Sequence, residues 1–469
     1  MKIEQLYTNC LAEAAYYIES NGEAVVIDPL RDVDEYIEKA KKGNAKIKYI
    51  FLTHFHADFV SGHIDLAKKT GATIVFGPSA KADFKFHEAT DGEIYKVGEL
   101  TLELLHTPGH TMESISLLLK DVNGKDQCIF TGDVLFIGDV GRPDLAVKSD
   151  LTQEDLAGHL FDSLRNKVMP LADDVIVYPN HGAGSACGKN MSKETFDTLG
   201  HQKEVNYALR ADMTKEEFVK EVLTGLKTPP QYFPKNVMMN KSINLDIDSI
   251  LKRGSEELDV ETFKSMAEHD GALVIDCRTQ QEFAKSHIPN SWFLGLDGSF
   301  APWVGALIED IKQPIILVAP FGREEEAASR LARIGYDNSL GFLKGGIQTW
   351  IDAGNAVGSL KSILATEMEA DLKGGINLVD VRKESEYLSE HSIDAGNEPL
   401  DTLLNNIKAF DKDKTYYIHC AGGYRSMIAC SILKANDIHN VIDVQGGFAA
   451  IKDYTDLTLS EYVCPSTLL

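Results

Sequence analysis

The sequence contains few cysteines, and they do not form disulfide or metal-binding patterns. There are seven cysteines in 469 residues, and no two of them form a Cys-x-x-Cys pair. An odd, scattered set excludes a dense disulfide framework and argues against a thiolate zinc site. We therefore expect a protein of the reducing cytoplasm. The cysteines are Cys10, Cys128, Cys187, Cys277, Cys420, Cys430 and Cys464.

Long apolar runs and basic charge are also in short supply. No stretch is apolar for long enough to span a bilayer, and residues 1–20 lack the basic and then apolar pattern of a signal peptide. We therefore expect no membrane partner. Lys and Arg number 47 against 71 Asp and Glu, which gives a formal net charge of −24. Such a surface repels polyanions, so we expect no nucleic acid partner.

What the chain does have is length and an internal repeat. Its 469 residues exceed one ordinary core, so several domains are expected. Residues 272–288 (ALVIDCRTQQEFAKSHI) resemble residues 376–393 (INLVDVRKESEYLSEHSI), and their aspartates lie 380 − 276 = 104 residues apart. That period is domain-sized and predicts two copies of one α/β domain. Residues 228–244 contain three prolines before this repeat and are interpreted as a linker.

Four segments in the first 200 residues carry histidine or aspartate directly after an apolar run. Loops at the ends of strands are where functional sites are usually built. A single histidine in such a place is usually structural, whereas four segments in this order indicate a metal site. The segments are Thr53-His54-Phe55-His56-Ala57-Asp58, Thr107-Pro108-Gly109-His110, Thr131-Gly132-Asp133 and Tyr178-Pro179-Asn180-His181.

This order of motifs resembles the metallo-β-lactamase superfamily over essentially all of residues 1–200. The resemblance implies a four-layer αββα sandwich with a metal cleft at its loop edge. The first motif of the superfamily is usually HxHxDH and serves two metals, but Phe59 stands at its last position here. A phenyl ring cannot donate an electron pair. The sequence therefore favours a site with one metal.

The segments HFHADFVSGH, TPGHTMES and TGDVLFIGDVGRPDL are similar to the persulfide dioxygenase branch of that superfamily. The resemblance implies one non-haem Fe(II) per chain, with His54, His110 and Asp133 as ligands. Two imidazoles and one carboxylate leave open positions for a substrate and O2. Homodimers or larger homo-oligomers are common in this family and are expected here as well.

The same resemblance assigns roles to residues around the ligands. His56, Asp58 and His181 would orient the ligands by hydrogen bonds, with His56 as a direct ligand remaining the alternative. Arg142 would lie near the thiol-substrate pocket, with a loop-stabilising role as its alternative. Some family members have Asp-Tyr after the last histidine, where this chain has Gly182-Ala183. The thiol carrier therefore stays open between glutathione, coenzyme A, bacillithiol and others.

A second constellation lies near the end of the chain. Residues 415–433 read TYYIHCAGGYRSMIACSIL, in which a β-rich run ends at Cys420 and a helix-compatible segment follows. Main-chain N–H groups and a helix N-terminus favour an anionic sulfur there, and Arg425 adds positive charge. This pattern resembles the rhodanese family over about residues 360–455. Four loop residues would cradle the substrate sulfur: Ala421, Gly422, Gly423 and Tyr424.

The spacing of the Cys420 loop indicates its chemistry, and the corresponding loop of the middle copy indicates whether that copy is active. Cysteine phosphatases of related fold have five residues between Cys and Arg, so the four found here favour sulfur transfer. In the middle copy the cysteine position falls on Ala319 or Pro320, neither of which is a nucleophile.

We expect an α/β multidomain protein. Its domains would be a metallo-β-lactamase sandwich (1–245), an inactive rhodanese-like domain (246–357) and an active one (358–469), the latter two with parallel sheets.

Together the resemblances imply oxidation of a thiol persulfide by O2 to sulfite, coupled to sulfur transfer at Cys420. Sulfite would be converted to thiosulfate, or thiosulfate would be used in the reverse direction, and both directions stay open. One rival is a glyoxalase-II-like thioester hydrolase with two metals. Another makes the rhodanese-like half a sulfur carrier or docking module. A ribonuclease of the same fold is disfavoured by the acidic charge.

Overall fold

The computed structural model describes residues 1–146, 151–372 and 377–464. Residue 376, which opens the second repeat segment, and residues 465–469, which end the third predicted domain, lie outside the described residues. The chain divides into two units, Met1–Ile247 with Ala332–Gly335 and Asp248–Leu331 with Tyr336–Leu469. None of the helices in the described residues is long and apolar enough to cross a membrane.

The first unit is built around two β-sheets. The first sheet has the strand order β1-β2-β3-β4-β5-β6 and the second has the order β12-β11-β10-β9-β8-β7. The strands of the first sheet are β1 (Lys2–Thr8), β2 (Glu13–Ser20), β3 (Glu23–Ile27), β4 (Lys46–Phe51), β5 (Thr73–Phe76) and β6 (His87–Glu88). Those of the second sheet are β7 (Ile94–Val97), β8 (Leu100–His106), β9 (Ile115–Lys120), β10 (Asp126–Gly132), β11 (Ile176–Pro179) and β12 (Asp197–Thr198).

Helices cover the outer face of each sheet. They are α1 (Asp34–Lys42), α2 (His63–Thr70), α3 (Gln153–Ser163), α4 (Leu199–Val205), α5 (Lys215–Leu223) and α6 (Phe233–Asn240), with a π-helical turn at Leu164–Val168 and a 3-10 turn at Tyr207–Leu209. Alternation along the strands sends one set of side chains between the sheets and the other set outward. Tyr16, Phe51 and Phe130 pack between the sheets, whereas Tyr17 and Ile50 pack outward with Tyr36. The layers are therefore αββα, as expected from the sequence.

The interpretation of residues 228–244 as a linker is wrong for its second half, because Phe233–Asn240 forms α6. Pro234 lies in the first turn of this helix. A proline there sacrifices no hydrogen bond, since the first N–H groups of a helix have no partner within it. Asn236 and Asn240 are buried, so α6 is packed against the first unit.

The second unit contains two parallel sheets of the same topology. Their strand orders are β13-β17-β16-β14-β15 and β18-β22-β21-β19-β20, which confirms the predicted repeat of one α/β domain. The strands are β13 (Glu257–Leu258), β14 (Leu273–Asp276), β15 (Trp292–Phe293), β16 (Ile315–Val318), β17 (Ser339–Leu343), β18 (Lys361–Leu364), β19 (Asn377–Asp380), β20 (Ala395–Asn397), β21 (Tyr416–His419) and β22 (Val441–Gln445).

Helices connect successive parallel strands in both copies. Those of the middle domain are α7 (Ile247–Gly254), α8 (Val260–Glu268), α9 (Gln280–Lys285), α10 (Phe300–Leu307), α11 (Glu324–Arg333) and α12 (Gly346–Asp352). The last domain has α13 (Ala365–Leu372), α14 (Glu384–Ser389), α15 (Leu403–Asn406), α16 (Tyr424–Ala435) and α17 (Gly447–Tyr454), with 3-10 turns at Leu400–Thr402 and Ile407–Ala409. Strand β21 lies inside its sheet, between β22 and β19. Its carboxyl end opens into the loop of Cys420, as expected for a site in a parallel α/β sheet.

Candidate metal centre and candidate thiolate loop

The three predicted metal ligands come together in the first unit. His54 follows β4, His110 follows β8 and Asp133 follows β10 directly. The Asp133 Oδ2 atom lies 3.4 Å from His110 Nε2 and 3.8 Å from His54 Nε2. One ligand atom from each residue falls within 4.8 Å of the others, and all three side chains are buried. Strands from both sheets therefore deliver one donor set to one point.

These residues fit a metal ion on their own chemistry. Both carboxylate oxygens of Asp133 are buried without a hydrogen-bond partner among the described residues. A buried carboxylate without a partner is costly, and a cation removes that cost. Burial, reinforced by His56 and His110, holds the pKa of His54 well below its usual range. His54 is therefore neutral, which is the form that binds metals.

Hydrogen bonds orient both ligand imidazoles. His110 Nδ1 lies 2.8 Å from the main-chain oxygen of Arg142 and therefore donates to it. That fixes the lone pair on Nε2, which faces Asp133. His54 Nδ1 lies 3.0 Å from the Thr53 hydroxyl. The loop that contains Arg142 thus sets the tautomer of a predicted ligand through its backbone.

His56 is not one of the three clustered residues, but its ring lies against that of His54, with centroids 4.2 Å apart. Its Nε2 pairs with Asp28 Oδ1 at 2.8 Å, and its ring stacks on Phe59 at 4.3 Å. Asp28 also accepts from the Thr53 N–H at 2.8 Å and from Asn180 Nδ2 at 2.8 Å. Asp28 thereby ties the first histidine motif to the last one. Sequence reasoning missed Asp28, although it follows an apolar run and precedes a proline.

Asp58 and His181 lie beside the ligand cluster. His181 Nε2 is 3.5 Å from Asp58 Oδ2 and 3.5 Å from Asp133 Oδ1. Burial lowers the pKa of His181, but Asp133 and Asp58 outweigh it and raise the pKa above its usual value. Cys187, which sequence reasoning did not single out, joins Asp58 and His181 in a second buried cluster whose ligand atoms lie within 4.8 Å. No spacing rule pointed to Cys187.

The guanidinium of Arg142 is engaged with its own loop. It forms two hydrogen bonds to Asp144, each 2.7 Å long. It also donates to the main-chain oxygens of Lys227 at 2.5 Å and Ala186 at 3.3 Å. The side chain is 5% exposed. These contacts favour the loop-stabilising alternative for Arg142 over direct substrate binding.

The predicted thiolate loop has the expected form. Cys420 follows β21, and α16 begins four residues later at Tyr424. The Gly423 N–H donates to Cys420 Sγ at 3.1 Å. This glycine has φ of 104°, a backbone conformation that side chains disfavour. Ala421 and Gly422 are exposed, whereas Cys420 itself is buried beneath them.

A polar chain lies behind the sulfur. The Cys420 thiol donates to Ser426 Oγ at 3.6 Å, and the Ser426 hydroxyl donates to Asp443 Oδ1 at 2.6 Å. Burial raises the pKa of Asp443. Sequence reasoning found Cys420 but missed Ser426 and Asp443, because only the fold brings β22 behind the loop.

Arg425 lies beside the loop and forms an ion pair with Glu386. Its two terminal nitrogens donate to the two oxygens of Glu386 at 2.6 and 2.8 Å. Burial raises the pKa of Glu386, but the Arg425 hydrogen bond and charge lower it by more. Arg425 is therefore held in one orientation.

The Tyr424 side chain turns away from Cys420, and its hydroxyl donates to the main-chain oxygen of Gly295 at 2.8 Å.

Strand pairing identifies the position in the middle domain that corresponds to Cys420. Asp380 pairs with His419 in the last domain, and Asp276 pairs with Val318 in the middle domain. Ala319 therefore occupies the cysteine position, rather than Pro320. A methyl group there cannot attack sulfur.

Comparison with known proteins agrees with this division of the chain. The profile of the metallo-beta-lactamase superfamily matches residues 8–181, and the profile of the rhodanese-like domain matches residues 259–353 and 364–454. The hydroxyacylglutathione hydrolase GloC of Haemophilus influenzae is 29% identical over 200 residues, which are 38% of this chain and 89% of the relative. The mitochondrial persulfide dioxygenase ETHE1 of Homo sapiens is 29% identical over 209 residues, which are 44% of this chain and 73% of the relative.

A solved structure extends the similarity beyond the first unit. The crystal structure of a metallo-beta-lactamase from Staphylococcus aureus subsp. aureus COL has a TM-score of 0.64 and 29% sequence identity to this protein. The match covers 73% of this chain and 98% of that chain. The chain therefore belongs to the metallo-β-lactamase superfamily and carries two rhodanese-like domains after its metallo-β-lactamase domain.

Proposed function

We propose that this protein oxidises a low-molecular-weight thiol persulfide with O2, using one Fe(II) per chain, and couples this reaction to sulfur transfer at Cys420. The observation that carries the proposal is the buried donor set of His54, His110 and Asp133, combined with Phe59 where the superfamily has a further imidazole. Phe59 is completely buried and stacks on His56. The fused loop of Cys420 supports persulfide as the shared substrate.

The balanced oxidation converts RSSH, O2 and H2O into RSH, sulfite and two protons. Fe(II), when bound, supplies open coordination positions and redox chemistry for O2. Other residues of the chain hold the predicted metal ligands in place. His110 is held by the Arg142 carbonyl, and Asp28 holds the loop of His54 through the Thr53 N–H. Burial of the donor set excludes bulk water from it.

Sulfur transfer uses separate residues in the last domain. The Cys420 thiolate attacks the outer sulfur of a second persulfide, RSSH, and the thiol RSH leaves. The resulting Cys420 persulfide gives its outer sulfur to sulfite, which yields thiosulfate and restores the thiolate. The Gly423 N–H, 3.1 Å from Sγ, stabilises the anionic sulfur. The reverse reaction, from thiosulfate to persulfide, uses the same residues.

The experiment measures O2 uptake and both sulfur products with glutathione persulfide, after anaerobic reconstitution with Fe(II). His110→Ala should abolish O2 uptake. Cys420→Ser should retain O2 uptake and shift the product from thiosulfate to sulfite, while Cys464→Ser, at an exposed cysteine, should behave like the wild type. No O2 uptake by the iron-loaded wild type would refute the dioxygenase, and an unchanged product ratio in Cys420→Ser would refute the coupling.

A second candidate is a thioester hydrolase with two metals. The cluster of Asp58, His181 and Cys187 favours it, because these residues offer a carboxylate, an imidazole and a thiol beside the first donor set. Both oxygens of Asp58 and the Nε2 of His181 lack hydrogen-bond partners among the described residues. Metal analysis separates the two functions. Two metals per chain with hydrolysis of S-lactoylglutathione, and no O2 uptake, would establish the hydrolase.

A further inference from the structure

The Tyr424 side chain joins the catalytic loop of the last domain to the middle domain. Its hydroxyl donates to the main-chain oxygen of Gly295 at 2.8 Å. Its ring meets the ring of Phe293 edge to face, with centroids 5.7 Å apart. Both partners belong to the middle domain, which lies in the same unit as the loop. The loop is therefore anchored outside its own domain.

A glycine shapes the space that the Tyr424 ring fills. A Cβ atom at Gly298 would lie 2.3 Å from two atoms of that ring, which is closer than atoms can approach. Burial raises the pKa of the Tyr424 hydroxyl, so it remains a hydrogen-bond donor. We call the surroundings formed by Phe293, Gly295 and Gly298 the Tyr424 socket.

A second contact fixes the same helix two turns further on. The main-chain N–H of Phe293 donates to the Ser431 hydroxyl at 2.9 Å. Tyr424 and Ser431 are both in α16 and are seven residues apart (431 − 424 = 7), so they lie on one face of it. The middle domain therefore contacts the helix that begins directly after the loop at two points along one face.

These contacts bear on the sulfur because Tyr424 follows Gly423 in the chain. The Gly423 N–H donates to Cys420 Sγ, and the φ of Gly423 is 104°. Glycine loses more conformational freedom on ordering than any other residue. Nothing within 4 Å would meet a Cβ at the neighbouring Gly422, whereas the main-chain oxygens of Cys420 and Ala421 accept from the N–H groups of Phe448 and Ala449 in the same domain. The start of the loop is thus held by its own domain, and Tyr424 holds its far end, next to Gly423, from the middle domain.

We propose that the middle domain, which has Ala319 in place of a nucleophile, acts as a scaffold that holds the catalytic loop of the last domain through the Tyr424 socket. Tyr424 is then a positioning residue for Cys420. It keeps the Gly423 N–H directed at the sulfur and so favours the thiolate. This role rests on the sulfur transfer proposed above. The effect of Tyr424 on the reactivity of the Cys420 thiol, however, can be measured without that reaction.

The test compares three variants of the full chain. Tyr424→Phe removes only the hydrogen bond to Gly295, and Gly298→Val pushes on the ring from the middle domain. Tyr336→Phe is the matched control, because its buried hydroxyl also donates to a main-chain oxygen, that of Ile308, without contact to the loop. Two properties are measured. They are the pH profile of iodoacetamide alkylation at Cys420, followed by peptide mass spectrometry, and the kcat and KM of thiosulfate:thiol sulfur transfer.

Tyr424→Phe should shift the alkylation profile to higher pH and lower kcat about tenfold, as expected for one lost hydrogen bond. Gly298→Val should shift the profile in the same direction, and Tyr336→Phe should leave it unchanged. An unshifted profile and an unchanged kcat in Tyr424→Phe would overturn the proposal, as would an equal shift in Tyr336→Phe. If the wild type transfers no sulfur, the proposed function fails, while the alkylation profiles still decide the role of Tyr424.

Discussion

The side-chain amide of Asn240 donates to the main-chain oxygen of His56 at 2.9 Å. The same amide donates to the main-chain oxygen of Phe59 at 2.8 Å, and its oxygen accepts from the N–H of Ser61 at 2.8 Å. Asn240 ends α6 and is buried. One side chain from a distant helix therefore satisfies three main-chain groups of the first histidine motif.

Replacement of Asn240 by alanine should loosen this motif. The three main-chain groups would lose their partner in a buried place, which costs about 1–3 kcal/mol for each group left unpaired. We expect Asn240→Ala to lower the free energy of unfolding and to reduce the iron retained after dialysis. Met238→Ala, at an exposed position of the same helix, is the control. Wild-type iron retention in Asn240→Ala would contradict the role of Asn240.

The contrast between Asn240 and His54 shows which residues of the site a sequence pattern can predict. His54, His110 and Asp133 were predictable because each follows an apolar run within a recognisable motif. Asn240 contacts residues about 180 positions earlier, and no local pattern encodes such a contact. Helix α6 was missed for a different reason. Pro234 was interpreted as a helix breaker, although a proline is tolerated in the first turn, where this one lies. Cys187 and Asp443 also become visible only after the strands are assembled.

Arg142 should act on its loop rather than on substrate affinity. Its guanidinium joins Asp144, Lys227 and Ala186, and its main-chain oxygen orients His110. We expect Arg142→Ala to lower the iron content and the kcat of O2 uptake about tenfold or more, in the range seen when groups that orient a metal ligand are removed. The KM for persulfide, measured on the iron-loaded fraction, should change little. A raised KM at full iron content would instead assign Arg142 to the substrate pocket.

Phe59 should decide the number of metals. Its ring fills a fully buried position against His56, and an imidazole there would add a donor beside Asp58 and His181. We expect Phe59→His to bind a second divalent metal, measured by plasma emission spectroscopy after reconstitution with Zn²⁺. Phe59→Leu, which is apolar and has no donor, is the control. The same metal content in both variants would show that residue 59 does not limit the site.

The Glu386–Arg425 pair should make the last domain sensitive to acid. Burial raises the pKa of Glu386, but Arg425 lowers it by more, so the folded value lies below the usual one. The stability from this pair is present above the pKa of an unfolded glutamate, about 4.3, and is lost as the pH falls through the lower folded value. In urea unfolding, Glu386→Gln should be less stable than the wild type near neutral pH. The difference should shrink at pH values below about 4, and a difference that is independent of pH would contradict the pair.

Ser426 should control the reactivity of Cys420 from behind the loop. The thiol donates to Ser426 Oγ, whose hydroxyl donates to Asp443 at 2.6 Å. When the thiol loses its proton, the hydroxyl can exchange its hydrogen bond to Asp443 for one to the sulfur, which would stabilise the anion. Ser426→Ala removes this donor and should slow iodoacetamide alkylation of Cys420 about tenfold at neutral pH. Ser362→Ala is the matched control, because Ser362 donates to the other Asp443 oxygen at 2.6 Å. Equal slowing in both variants would mean that the carboxylate of Asp443, rather than the Ser426 hydroxyl, governs the sulfur.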